Sequence, residues 1–220
     1  MRSTRKHEIS SRKAPKQERS EALVNAILKA AVRVLEKEGA TRFTTIRVAE
    51  KAGVSVGSLY QYFPNKAAIL FRLQSDEWRS TGEMLRGIVE DTQYAPFERL
   101  RRLVHAFIRS ECEEATMRLA LDDAEPLYRD APEAMKARSG NERILLRFMR
   151  ELLPNVSGIQ RRRAGELIIA TLRSVGKQFS EQPRTRAEID AWSEELTQMF
   201  HAYLRQLSRH SRTQPRLSST

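Results

Sequence analysis

Catalysis needs nucleophiles, bases or metal ligands at workable spacing, and this chain of 220 residues offers few. Its four histidines, His7, His105, His201 and His210, are scattered, and Cys112 is the single cysteine. No phosphate-binding glycine loop, Gly-x-Ser-x-Gly elbow or paired-histidine ligand motif occurs. The pattern that stands out serves recognition. Residues 45–62, TIRVAEKAGVSVGSLYQY, encode two short amphipathic helices hinged on one glycine. Val48, Ala49 and Ala52 recur at helical spacing, Gly53 breaks the run, and Val54, Leu59 and Tyr62 resume it. A residue just past a helix end often needs positive φ, which glycine adopts without a Cβ penalty. Ala49 is small where two helices must cross, and Leu59 can pack back on the first helix. That is a helix-turn-helix, whose second helix can enter the major groove of DNA.

Other elements must hold that pair. A helix over about residues 20–38 carries Leu23, Ala26, Ile27, Ala30, Ala31, Val34 and Leu35 as one apolar stripe, and Gly39 stops it. Thr44 or Thr45 can cap the next helix, and Ser55 the recognition helix. Phe63-Pro64-Asn65-Lys66 reads as a turn, with Asn65 capping a fourth helix. Ahead of this module, residues 1–20 hold seven Lys/Arg against Glu8 and Glu18. Such an arm is either a disordered solubilising segment or a contact to phosphate or minor groove. Over the whole chain 39 Lys/Arg stand against 28 Asp/Glu, a net charge of +11 that favours polyanions without specifying one.

Residues 19–71 resemble the DNA-binding domain of TetR-like (tetracycline-repressor-like) transcriptional regulators. The resemblance rests on Phe43-Thr44-Thr45, Val48-Ala49, Ala52-Gly53-Val54-Ser55, Gly57-Ser58-Leu59-Tyr60, Tyr62-Phe63 and Asn65-Lys66-Ala67-Ala68-Ile69-Leu70. It implies that Thr45 and Arg47 lie by the DNA backbone and that Ser55, Val56, Gly57 and Ser58 open the recognition helix. Tyr60 and Tyr62 become phosphate contacts through their hydroxyls, with core packing the competing role for Tyr62. Lys66 at a helix N-terminus can hold a phosphate with the free amides. Base readers are sparse there: Gln61 is the best direct reader, and Val56 can pack on a thymine methyl. DNA shape or the basic arm is then expected to carry part of the specificity.

The remaining two thirds also reads as helical, with a long helix from about residue 65 to 91, further helices opened by Pro96 and Pro132, and two final helices near 160–179 and 185–207. The expected architecture is all-α: a basic arm (1–19), a three-helix helix-turn-helix domain (20–66), a larger helical effector-binding and dimerisation domain (67–207) and a disordered basic tail (208–220). In TetR-like proteins the last two helices pair with a partner's copy. That implies a homodimer through Ile168, Ile169, Leu172 and Val175 on one helix, and Trp192, Leu196, Met199, Phe200 and Tyr203 on the other. It also implies a small-molecule effector held by the middle helices, for which Trp78, His105, Phe107, Met117, Asp122 and Phe148 are candidates. Met and aromatic residues at this spacing equally serve as ordinary core. Asp122, Asp123 and Glu125 with His105 form a weak metal or cationic-ligand signal, against a solvated acidic turn or pairing with Arg118 or Arg129. No resident metal or cofactor is expected. No apolar run approaches the ~18 residues of a membrane span, and the charged start lacks an apolar signal core. The expected setting is the cytoplasm, the expected partner a palindromic duplex operator, and the expected role a repressor released by its effector. The competing role is a nonspecific architectural DNA-binding protein, which leaves the large apolar domain unexplained.

Overall fold

The computed structural model describes residues 18–213, with side chains described for 20–133 and 144–210. Residues 1–17 of the expected basic arm and residues 214–220 lie outside the described residues. Among the described residues every regular element is helical. They are α1 (Glu18–Arg42), α2 (Thr45–Ala52), α3 (Val56–Tyr60), α4 (Lys66–Glu90), α5 (Pro96–Glu113), α6 (Ala115–Ala124), α7 (Pro132–Leu152), α8 (Gly158–Ser180) and α9 (Arg186–Thr213), with a 3-10 turn at Glu125–Leu127 after α6. Two compact units share them. The first holds α1 to α3, α4 as far as Arg79, α6 from Thr116, the 3-10 turn and the start of α7. The second holds the rest of α4 and α7 with α5, α8 and α9. The division therefore falls inside two helices, whereas the sequence suggested a boundary at residue 66.

In the first unit Ile27, Ala30, Ala31, Val34 and Leu35 of the expected α1 stripe are buried together with Val24 and Leu28, which it did not include, while Leu23 and Ala26 are half-buried. Ala49, Leu59, Phe43 and Phe63 join the same core. Gly39 breaks α1 at φ 71°, ψ 172° before a last helical turn. Gly53 ends α2 in the left-handed region at φ 68°. Its N–H reaches the Glu50 carbonyl at 3.1 Å, and the Val54 N–H reaches the Ala49 carbonyl at 3.0 Å. Those two bonds satisfy carbonyls that the helix end would leave orphaned. The core extends beyond the helix-turn-helix to Leu70 and Leu73 on α4 and to Ala120, Leu121, Ala124 and Tyr128. Beside it runs a buried polar chain. The Tyr128 hydroxyl donates to Gln74 at 3.3 Å, Gln74 donates to Glu77 at 3.0 Å, and Arg118 pairs with Glu77 at 2.8 Å. Burial foremost, then the charges of Asp122 and Glu77, pushes the Tyr128 phenol well above its ordinary range.

In the second unit, α5 packs on α8 and α9. Ser157 caps α8 through the Gln160 N–H at 3.3 Å. Thr185 and Glu188 form a reciprocal capping box at the start of α9, with N–H bonds of 2.8 and 3.3 Å. α9 continues to Thr213, past Leu207 where the sequence placed its end. Arg99 is 3% exposed. It donates to the Val89 carbonyl and the Glu151 carboxylate, and its guanidinium stacks 5.0 Å from the centroid of Phe148. Ser193 and Thr197 are also buried, their hydroxyls satisfied by backbone carbonyls one turn back, at 2.7 Å each.

Gly165 and Gly176 admit neighbouring helices of the same subunit. A Cβ at Gly165 would come 2.8 Å from Leu146 Cδ2, and one at Gly176 would come 2.9 Å from Glu111 Cγ and 3.1 Å from Phe107 Cε1. Gly176→Ala therefore overpacks the contact of α8 with α5. It is expected to cost about 1–3 kcal/mol, read as a lower urea midpoint.

Candidate nucleic-acid interface

The interface is built on α2, α3 and the start of α4. Thr44, rather than Thr45, caps α2, accepting the Arg47 N–H at 3.3 Å. Thr45 is buried and shares a 3.1 Å hydrogen bond with the Tyr60 hydroxyl, tying the first turn of α2 to the last residue of α3. Ser55 caps α3 through the Ser58 N–H at 3.0 Å, and the two hydroxyls lie 2.8 Å apart. Asn65 caps α4 through the Ala68 N–H at 2.9 Å.

These caps decide which side chains face outward. Tyr60 is 40% exposed, Gly57 and Gln61 are exposed, and Val56, Ser58 and Lys66 are half-buried. Tyr62, the other expected phosphate contact, is 5% exposed and packs in the first core. Arg47 is partly occupied: it pairs with the Glu38 carboxylate and donates to the Arg42 carbonyl at 3.1 Å. Ile46 is more than half exposed on α2, a feature the sequence analysis missed. Its place next to buried Thr45 on an amphipathic helix was the available signal. Lys66 begins a helix of 25 residues, where the positive end of the dipole and the free amides add to its charge. Together the exposed phenol, the lysine and the small-residue first turn of α3 can contact phosphates and lie against base edges.

Two family descriptions match the chain. "Bacterial regulatory proteins, tetR family" covers residues 27–73, and "Tetracyclin repressor-like, C-terminal domain" covers residues 95–207, just over half of the chain. The chain belongs to the TetR family. It has that family's transcriptional-regulator fold, with an N-terminal helix-turn-helix DNA-binding domain and a tetracycline-repressor-like C-terminal domain; the family is one of regulators, not enzymes. The nucleoid occlusion factor SlmA of Vibrio atlanticus is 34% identical over 79 residues, covering 36% of this chain and 33% of SlmA. That match spans about a third of the relative's length. Solved structures share the fold at low identity. The fatty acid degradation regulator FadR of Bacillus halodurans has a TM-score of 0.64 at 19% identity, covering 85% of this chain and 96% of FadR. FadR of Bacillus subtilis, solved with stearoyl-CoA, has a TM-score of 0.62 at 18% identity, covering 80% and 96%. NalD of Pseudomonas aeruginosa, the secondary repressor of the MexAB-OprM efflux pump, has a TM-score of 0.62 at 19% identity, covering 83% and 96%.

The six residues expected to line an effector pocket are distributed over both units of this TetR-family chain. Trp78, Met117 and Asp122 belong to the first unit, and His105, Phe107 and Phe148 to the second. A cleft of about 360 Å³ opens in the second unit between α4 and α7. Val89, Ile144 and Phe148 line it, with the charges of Arg86, Glu90, Arg147 and Glu151. Of the expected six, only Phe148 lies there. Met117 packs against the first core, Asp122 is exposed on α6, and Phe107 lies against Gly176. His105 lies 3.4 Å from Glu194 and 3.9 Å from Asp190 on α9. No group of three or more possible metal-ligating side chains occurs among the described residues. The Arg101 hydrogen bond holds the Glu194 carboxyl below its ordinary range. Its small contribution to stability is present above the unfolded carboxylate pKa and is lost as pH falls through the folded one. Burial first, then Glu111, raises the Cys112 thiol, which keeps it from being a ready thiolate.

The expected dimerisation set also divides. Ile168, Leu172, Leu196 and Phe200 are buried in the subunit's own core, and Ile169, Val175 and Tyr203 pack against its edge. Their places follow from α8 and α9 packing on α5, which takes one stripe of each helix. Trp192 and Met199 are 50% and 49% exposed, and Leu167 and Ile159 join them as exposed apolar residues of the same two helices.

The capping geometry makes α3 sensitive to single atoms. Ser55→Ala is expected to cost about 1 kcal/mol, and Tyr60→Phe roughly 0.5–1.5 kcal/mol through the lost Thr45 bond. Thermal and urea unfolding of the two variants checks both figures.

Proposed function

We propose that this TetR-family chain is a dimeric, sequence-specific DNA-binding regulator working in the cytoplasm, a repressor released from a palindromic operator by a small-molecule effector. The observation that carries the reading is the capped helix-turn-helix, with Tyr60 exposed and Lys66 half-exposed beside the small residues of α3. Dimerisation is supported by four large apolar side chains left exposed on α8 and α9, Ile159, Leu167, Trp192 and Met199. A symmetric pairing of those faces covers them and presents two recognition helices to two half-sites. The effector arm is supported by the C-terminal domain description and by relatives of the same fold solved with ligands, stearoyl-CoA for one and triclosan for another. Release needs only that the effector bind the DNA-incompetent form better; DNA affinity then falls by the same coupling factor.

Selection from a random duplex pool at physiological salt tests the DNA claim. A palindromic winner is expected, whereas salt-sensitive retention without any preferred sequence belongs to a nonspecific architectural binder. Tyr60→Ala combined with Lys66→Ala is expected to weaken operator binding at least tenfold, since each removes a phosphate contact. Unchanged affinity would remove those residues from the interface. Leu167→Glu with Met199→Glu is expected to give monomers at micromolar concentration by analytical ultracentrifugation, where the wild type sediments as a dimer. A monomeric wild type would end the dimer claim.

A further inference from the structure

Ion pairs within one helix are ordinary decoration of an exposed face, as where Arg72 and Arg79 share Asp76 on α4. Arg47 is held differently. It reaches from the first turn of α2 back to the end of α1, pairing with the Glu38 carboxylate and donating to the Arg42 carbonyl at 3.1 Å. The second acceptor depends on Gly39. Its φ of 71° and ψ of 172° lie in a region open essentially to glycine alone, and the kink there redirects the last turn of α1. The Arg42 carbonyl closes that turn, where no later amide of the helix remains to bond it. Both bonds fall on one nitrogen of Arg47, Nη1. A guanidinium carries five N–H donors, and those on Nε and Nη2 have no partner among the described residues. Nε and Nη2 form the edge that can meet an oxyanion through two parallel bonds. The side chain is nearly half exposed. The backbone beneath it is fixed as well, since Thr44 accepts the Arg47 N–H and Thr45 is tied to Tyr60.

We infer that Glu38 is a positioning residue of the DNA interface: with the Arg42 carbonyl it grips Arg47 by one nitrogen and presents the free Nε–Nη2 edge to a DNA phosphate. The inference rests on the DNA-binding reading above. An acidic residue, which charge alone sets against DNA, thereby takes part in binding it. An unheld arginine gives up rotamer freedom when it takes a phosphate, whereas one already gripped has given it up beforehand. The competing role for the same two bonds is only to close the C-terminal end of α1. In that role they serve stability and leave DNA binding unmoved.

Fluorescence anisotropy over a range of salt tests wild type, Arg47→Ala, Glu38→Ala, Glu38→Gln and the Glu38→Ala/Arg47→Ala double variant. Each is titrated with the selected operator and with a scrambled duplex of equal length, which a phosphate contact serves alike. Arg47→Ala is expected to weaken binding about tenfold and to lower the salt slope by about one, the mark of a lost phosphate contact. Glu38→Ala is expected to weaken it about threefold, the scale of a single hydrogen bond, although it removes a negative charge. Glu38→Gln keeps the acceptor and should bind at least as tightly as wild type. The double variant should bind no more weakly than Arg47→Ala, because Glu38 acts only through the arginine. Tighter binding by Glu38→Ala makes Glu38 a competitor of phosphate and overturns the inference. Unchanged binding by Glu38→Ala, with a lower melting temperature, also overturns it and leaves the capping role alone. An unchanged salt slope in Arg47→Ala, or a glutamine as weak as the alanine, overturns it as well. All these failures leave the DNA-binding reading standing, whereas a wild-type chain that retains no duplex removes it.

Discussion

A helix of five residues cannot hold itself together in water, because nucleating it fixes more torsions than its few hydrogen bonds repay. The recognition element α3 is such a helix, so its existence depends on what it leans against. Leu59 is fully buried against α1 and α2, Ala49 keeps α2 thin at the crossing, and the Thr45–Tyr60 bond closes the far end. Gly53 supplies the left-handed residue that turns one helix into the next. Each of these is a packing or capping constraint, and together they fix the pose in which α3 holds its exposed residues.

The first core reaches further than a DNA-binding module needs. Leu70 and Leu73 of α4 and the Leu121–Tyr128 region belong to it, reinforced by the chain from Tyr128 through Gln74 and Glu77 to Arg118. A buried ion pair of this kind adds little net stability, but it penalises any arrangement that separates its members. The first half of α6, the residue after the 3-10 turn and the middle of α4 are thereby held to one geometry within the unit that carries the recognition helix. In the second unit Arg99 does similar work, joining α5 to a carbonyl of α4 and a carboxylate of α7 through one guanidinium.

Those constraints bear on regulation. An effector acts on DNA binding only through a difference in affinity for two arrangements of the protein. Under the proposed effector release, α4 and α7 are the elements to examine for such a difference, since each contributes residues to both units. The open cleft in the second unit lies along those same two helices.

The local features of this protein were legible in the sequence because they depend on short-range chemistry. The order of helices, the caps Ser55 and Asn65, the breaks at Gly39 and Gly53 and the turn at Pro64 follow from periodicity, propensity and hydrogen bonding within a few residues. What the tertiary structure alone decided was which of several equivalent faces is covered. Periodicity marks Ile168, Leu172, Leu196 and Phe200 as apolar just as it marks Trp192 and Met199, yet the first four are core and the last two are surface. Tyr60 and Tyr62, two residues apart, likewise read alike and point to opposite fates. The same limit gave His105 its partners on α9. An apolar stripe states that a side chain will be buried, but the neighbour that buries it is set by packing across long stretches of chain, which no local spacing encodes.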